Sequence, residues 1–208
     1  LAEQLADDED FRLRRTRRTA VRGYRRLEPW ALRRPGEDES PLTGFLQQKG
    51  QDLRRHGSGR TGGTNAMRAG GSWAGVLTGA GDILKGFLAI MVARWVGGGS
   101  PWAEVLAGIA AVVGHNWSIY LGFKGGAGTG PNIGVCVALW PLSALWLIPL
   151  LPFGLNVIRY ASVTSLVIAA VIPVTVAVRA ALGLGPWIHL VYALGAALAV
   201  TWSLRPNI

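Results

Sequence analysis

Apolar and polar positions fall into long separate blocks along this chain, with no strand-like alternation. Apolar runs cover residues 72–96, 101–121, 131–158, 160–181 and 187–203. A bilayer core of about 30 Å takes about 20 helical residues to cross, so each run predicts membrane helix. A β-barrel would instead show alternating segments of about ten residues. Turn signals separate the runs: Gly97-Gly98-Gly99-Ser100-Pro101 and Gly183-Leu184-Gly185-Pro186. The run 131–158 is longer than one straight crossing and contains Pro141, Pro149 and Pro152. It predicts either one tilted helix or two short helices broken near Trp140-Pro141. The expected fold is an all-α, polytopic helical membrane bundle with about six spans.

Topology follows from parity. Two spans separate the polar stretches 54–68 and 122–130, so both lie on one side of the membrane. Arg54, Arg55, Arg60 and Arg68 make that side cytoplasmic, because cytoplasmic loops are enriched in Lys and Arg. If 131–158 is a broken hairpin, Arg159, Ser162 and the terminal Arg205-Pro206-Asn207 return to the same side; a single helix would send them across. The hairpin is the favoured reading. Trp73, Trp95, Trp102, Trp117, Trp187 and Trp202 sit near span ends, as interfacial aromatics do.

Charge sharpens this division. Residues 1–56 hold 13 of the 21 Lys and Arg and 10 of the 12 Asp and Glu. The remaining 152 residues carry eight basic side chains and two acids, Asp82 and Glu104. A soluble surface could not be built so sparsely, since about a quarter of residues are usually charged. The net charge of +9 suits lipid headgroups better than nucleic acid, because no nucleic-acid module is visible. The single Cys136 rules out an internal disulfide, and no metal-ligand cluster occurs. Residues 1–50, with a basic run from Arg12 to Arg26 and Pro29, Pro35 and Pro41, read as a solvated, flexible or misassigned segment. Leu1 in place of an initiating Met points to a fragment or a wrong start. Residues 51–208 form the membrane domain.

Two polar stretches interrupt the apolar body: His56 to Arg68, and Gly114-His115 followed by Phe123-Lys124-Gly125-Gly126-Ala127-Gly128-Thr129-Gly130. Glycines let backbone N–H groups approach an anion, and Arg or Lys adds full charge. Two such loops beside a bilayer suggest a phosphate-bearing substrate. Asp82 and Lys85, three apart on one helix face, should turn inward and pair, either as a packing ion pair or as support for the first loop. His115 is open between an interfacial anchor and a catalytic or substrate-binding group. No His-x4-Asp signature, Gly-x-Ser-x-Gly elbow or P-loop is present.

The order of these motifs resembles the acyl-phosphate-dependent glycerol-3-phosphate acyltransferases of bacteria, the PlsY family. Asp52-Leu53-Arg54-Arg55-His56-Gly57 leads into Ser58-Gly59-Arg60-Thr61-Gly62-Gly63-Thr64-Asn65-Ala66-Met67-Arg68, matching the family's first motif. Asp82-Ile83-Leu84-Lys85-Gly86, Gly114-His115, Phe123-Lys124-Gly125-Gly126-Ala127-Gly128, Arg159-Tyr160-Ala161-Ser162 and Asn207-Ile208 match later ones. The resemblance covers about residues 50–208. It implies acyl transfer from acyl phosphate to the sn-1 hydroxyl of glycerol 3-phosphate, in the bacterial inner membrane with the site facing the cytoplasm. It implies no cofactor and no metal. The expected partners are the two substrates and membrane lipids, without nucleic acid, the chain acting as a monomer. By matching, Ser58, Thr64, Asn65 and Arg68 bind phosphate, opposite Lys124 and the amides of Gly125 and Gly126. His115 and Asn207 orient glycerol 3-phosphate and Ser162 supports the site; Arg68, Lys124 and His115 form the catalytic set.

Two departures matter. The family's second lysine in Phe-Lys-Gly-Gly-Lys-Gly is Ala127 here, and the Asn of Ser-Gly-Asn is Arg60. Arg60 is therefore a candidate to supply the missing charge from across the gap, and joins the substrate-binding set. The family's first membrane helix is also not visible. A catalytically silent relative that binds a phospholipid precursor, or a small membrane transporter, are the alternative readings.

Overall fold

A computed structural model describes residues 12–15 and 30–33 by their backbone, Leu53, and residues 57–207, with Asn207 again by backbone alone. The chain divides into two compact units, Leu1–Gly50 and Gln51–Ile208. In the first, β1 (Arg12–Arg15) pairs antiparallel with β2 (Trp30–Arg33), Arg12 opposite Arg33 and Arg15 opposite Trp30. The expectation of flexibility for the rest of that segment lies outside the described residues, as do the lead-in residues Asp52, Arg54, Arg55 and His56.

The second unit is helical among its described residues. Its helices are α1 (Gly63–Val96), α2 (Pro101–Asn116), α3 (Thr129–Leu139), α4 (Ala144–Val157), α5 (Ala161–Ala181) and α6 (His189–Leu204). By length and apolarity, α1 and α5 can cross a membrane unaided. The 11 residues of α3 rise only about 16 Å at 1.5 Å each. The 131–158 run is thus two short helices, with Trp140 non-helical (φ −145°, ψ 94°) and a 3-10 turn at Pro141–Ser143. Proline at position 141 has no N–H to continue the α3 ladder, which makes the break local and sharp.

Helix directions come from residue pairs. Gly130 meets Asp82 and Gly134 meets Ile83 and Phe87, so α1 and α3 run parallel. Gly108 lies against Tyr192 and Asn116 Nδ2 donates to Ala199 O, so α2 and α6 also run parallel. Trp146 Nε1 donates to Thr175 Oγ1 and Gly154 meets Thr164, so α4 and α5 are antiparallel. The chain therefore reverses at Trp140, as in the hairpin reading, and the start of α5 and the end of α6 share one end with both polar loops.

Ile90, Val112, Ile133, Leu147, Ile168, Ile172, Tyr192 and Val200 form the buried core. Large apolar side chains also cover the outside, among them Trp73, Trp95, Leu106, Leu198 and Trp202. Such a surface suits lipid, which solvates apolar side chains without cost. Without a hydrophobic force between helices, close packing holds them together and small residues permit it. A Cβ at Gly86 or Gly134 would overlap the backbone of Pro131 or Ile83.

At the far end, four charged or titratable groups join four helices. Arg94 Nε donates to Glu104 Oε1 at 2.8 Å, His189 Nε2 lies 2.9 Å from Glu104 Oε2, and Arg179 Nη1 lies 3.0 Å from His189 Nδ1. A guanidinium can only donate, so its approach favours His189 Nδ1 as acceptor, with Nε2 on the Glu104 side of the ring.

Candidate active site

The first loop is built around a reversal in α1. Gly71, at φ +80° and ψ 178°, breaks the helix in a conformation that side chains rarely adopt. The segment 63–70 folds back on the start of the long span, where a Cβ at Gly63 would lie 2.9 Å from Gly75 O and 3.2 Å from Gly79 N. Part of the expected loop is thus helix, and Arg68 stands exposed on it.

Asn65 is buried in the middle of this loop. Its Nδ2 donates to Arg60 O at 2.7 Å and Leu53 O at 2.9 Å, and its Oδ1 accepts from Ser58 N–H at 3.3 Å. Both ends of the amide shape the loop from within. Ser58 is exposed and Thr64 half-buried.

The second loop leaves α2 at Trp117, passes a 3-10 turn (Ile119–Leu121), and returns through the left-handed Phe123 (φ 63°) to α3. Lys124 is exposed while Gly125 and Gly126 are buried. Gly125 N–H donates to Asn116 O at 3.2 Å and Gly126 N–H to His115 O at 3.1 Å. Those amides are engaged inside the protein. The glycines are required by proximity: a Cβ on Gly125 would overlap His115 O, and one on Gly126 would overlap His115 Nε2.

The two loops meet. Thr61 N–H donates to Gly125 O at 3.4 Å, and Arg60 Nη1 donates to Gly126 O at 3.2 Å. Arg60 also donates to Ser203 Oγ (2.9 Å) and Ser203 O at the end of α6. Partial burial lowers the Arg60 pKa from its ordinary value, but a guanidinium stays charged in proteins. Arg60 thus contacts the second loop, its two Nη groups donating to two carbonyls and a hydroxyl.

Behind the second loop, His115 is nearly enclosed, its side chain 7% exposed. Lys85 Nζ lies 2.9 Å from His115 Nδ1 and donates to Asp82 Oδ1 at 3.1 Å; His115 Nδ1 is 3.3 Å from the same oxygen. Of the two neighbours of Nδ1 the ammonium, which has no lone pair, is nearer than the acceptor-only carboxylate, and it favours Nδ1 as acceptor with the proton on Nε2, turned towards Gly126. Asp82 and Lys85 therefore pair as expected, and they pair around His115.

Other expected residues are less connected. Ser162 lies in the first turn of α5, half-buried, with no side-chain hydrogen bond among the described residues. The Asn207 side chain lies outside the described residues. Two contributors carry little signal in the sequence. Ser203 is a single hydroxyl in an apolar helix, and Asn116 supplies its carbonyl to Gly125. The adjacency of Asn116 to Gly114-His115 was the only hint of its place.

A family model described as glycerol-3-phosphate acyltransferase matches residues 42–208. The chain belongs to that family. It is 38% identical over 159 residues to glycerol-3-phosphate acyltransferase 2 of Moorella thermoacetica, covering 76% of this chain and 79% of that protein. It is 36% identical over 174 residues to the glycerol-3-phosphate acyltransferase of Desulforudis audaxviator, covering 80% and 82%. Among solved structures it is similar to PlsY (YgiH), an integral membrane glycerol 3-phosphate acyltransferase, in its glycerol 3-phosphate form. That match has a TM-score of 0.67 at 30% identity and covers 80% of this chain and 87% of the other. The lysophosphatidic acid form of PlsY matches with a TM-score of 0.63 at 30% identity, covering 79% and 81%. The fold is that of an integral membrane protein of this family.

Proposed function

We propose that this chain transfers a fatty acyl group from acyl phosphate to the sn-1 hydroxyl of glycerol 3-phosphate, giving lysophosphatidic acid and inorganic phosphate. The observation that carries the reading is the meeting of the two polar loops at one end of the bundle, joined through Thr61–Gly125 and Arg60–Gly126, in a chain of this family. The PlsY structures named for a glycerol 3-phosphate form and a lysophosphatidic acid form agree with such a substrate and product.

In the reaction, the glycerol hydroxyl oxygen attacks the acyl carbonyl carbon and a new ester bond forms. The bond from that carbon to the phosphate oxygen breaks, its electrons leave on phosphate, and the hydroxyl proton passes to the same phosphate. An acyl phosphate is a mixed anhydride with a good leaving group, so the protein's task is placement and charge stabilisation. The exposed Arg68 and Lys124, one from each loop, hold the two phosphates, with the Ser58 and Thr64 hydroxyls beside them. Asn65 keeps the first loop in shape. His115, offering its Nε2 proton as a hydrogen-bond donor beside Gly126, and Asn207 orient glycerol 3-phosphate, and Ser162 supports the site. The unit Gln51–Ile208 carries the chemistry. Its loop end faces the cytoplasm of a bacterial inner membrane, a side supported by Arg60, Arg68, Arg159 and Arg205 lying there.

The test is the chain in lipid with palmitoyl phosphate and labelled glycerol 3-phosphate, following lysophosphatidic acid and free phosphate together. Equal release of both, lost in Arg68→Ala, is the expected result. Ala127 in place of the family's lysine favours one second reading, a relative that binds without turnover. Saturable glycerol 3-phosphate binding with neither product would select it.

A further inference from the structure

Consecutive carbonyls of the second loop are both gripped by the first. Arg60 Nη1 donates to Gly126 O at 3.2 Å and Thr61 N–H donates to Gly125 O at 3.4 Å. The amides of the same two glycines donate to Asn116 O and His115 O. The Gly125–Gly126 strand is therefore held along both edges. A third piece of chain joins it, because Arg60 also binds Ser203 Oγ and Ser203 O, and Ser203 Oγ donates to Gly126 O at 3.4 Å. A planar fork with five donors can serve these acceptors together, whereas an ammonium on a flexible stem cannot hold the same set in one geometry. There is an electrostatic consequence too. Carbonyl oxygens carry partial negative charge and repel an approaching phosphate, and a guanidinium set on them cancels that field.

We infer that Arg60 is a positioning residue: with Ser203 it clamps the second glycine loop between the first loop and the end of α6. The clamp fixes Lys124 and the backbone in front of His115, and the assignment of its benefit to acyl transfer rests on the reaction proposed above. Arg60 acts through the loop, and substrate phosphate is bound by other cations.

The experiment uses the full chain in lipid nanodiscs with Arg60→Lys, Arg60→Ala, Ser203→Ala and the double Arg60→Ala/Ser203→Ala variant. Arg60→Lys keeps the charge and removes the fork. Loss of orientation then lowers kcat about tenfold or more in both Arg60 variants, with KM for glycerol 3-phosphate moving less than about threefold. Ser203→Ala shows a smaller loss, and the double variant is no worse than Arg60→Ala, as coupled residues require. An Arg60→Lys protein at wild-type kcat, beside an Arg60→Ala protein with steeply raised KM, overturns the clamp and makes Arg60 a phosphate ligand.

Hydrogen exchange reads the clamp without turnover. Exchange in the segment 122–130 should rise about tenfold or more in Arg60→Lys while the α5 amides keep their protection. Unchanged exchange in the loop overturns the inference whatever the kinetics. A wild-type protein that makes no lysophosphatidic acid, yet whose loop is loosened by Arg60→Lys, sinks the proposed reaction and leaves the clamp standing.

Discussion

Lys85 Nζ sits 2.9 Å from His115 Nδ1, nearer to it than the Asp82 carboxylate oxygen at 3.3 Å, and the nearer contact favours one tautomer of the ring. A donor-only ammonium leaves Nδ1 as acceptor and the proton on Nε2, so His115 faces the second loop as a donor. Asp82, 3.1 Å from Lys85 Nζ, holds the ammonium in place. A base at this position would need Nε2 bare.

Replacing Lys85 by Met should therefore impair turnover without unfolding the protein, since the Lys85 side chain is half exposed. Hydrogen bonds to charged groups are worth about 1.5–3 kcal/mol, which corresponds to a loss of about 10- to 100-fold in kcat. Nitrogen NMR of labelled histidine supplies the direct check. His115 in the parent protein should show an unprotonated Nδ1, and Lys85→Met, which leaves the Asp82 carboxylate 3.3 Å from that nitrogen, should move the proton to Nδ1. A protonated Nδ1 in the parent protein would refute the assignment.

Arg68 gives a cleaner separation of binding from folding. It is exposed on the fold-back segment, its Cδ 4.0 Å from a Cβ placed at Gly57. Arg68→Ala should leave thermal stability within about 0.5 kcal/mol, as surface changes usually do. Activity should fall about 100-fold or more, the scale set by removing one donor that stabilises developing charge. Parallel melting curves and initial rates test both halves, and an active Arg68→Ala protein would remove Arg68 from the site.

Gly126→Ala probes the packing of loop against histidine. The added methyl would overlap the His115 ring at Nε2, and Gly125→Ala would overlap the backbone carbonyl of the same residue. A ring can turn and a carbonyl cannot. Gly126→Ala should hence fold and lose activity, while Gly125→Ala should also lose stability by about 1–3 kcal/mol, the cost of overpacking. Equal stability losses in the two variants would contradict this distinction.

Much of the bundle was legible because membrane helices announce themselves as uninterrupted apolar blocks. The break at Trp140 was legible for a local reason, the proline that follows it. The fold-back at Gly71 was not, since it depends on Gly63 meeting Gly75 and Gly79, a contact between surfaces that periodicity does not encode. The same holds at the site. The motifs located both loops, and spacing on one helix face paired Asp82 with Lys85. That Asn65 turns inward, that the Gly125 and Gly126 amides are used at home, and that Ser203 joins Arg60 are facts of tertiary placement. Arg60 and Ser203 lie 143 residues apart, beyond the reach of any local pattern.

The far-end network shows the same dispersal, its four groups coming from four helices. Glu104 is the only carboxylate among the described residues facing Arg94, Arg179 and His189, and all but Arg94 are buried. Taking the charge from Glu104 breaks its ion pair with Arg94 and removes the counter-charge that reaches the buried Arg179 through His189. Breaking a fully buried pair costs about 3–5 kcal/mol, and the part-exposed Arg94 makes this one cost less. Glu104→Gln keeps the shape and should still lower the melting temperature in detergent markedly. Glycerol 3-phosphate binding measured below that temperature should be unchanged, because the network sits at the end of the bundle opposite both loops. The double replacement of Glu104 by Gln and Arg179 by Met should recover part of the loss by removing the orphaned cation. A double variant less stable than Glu104→Gln alone would show that Arg179 contributes to packing independently of its charge.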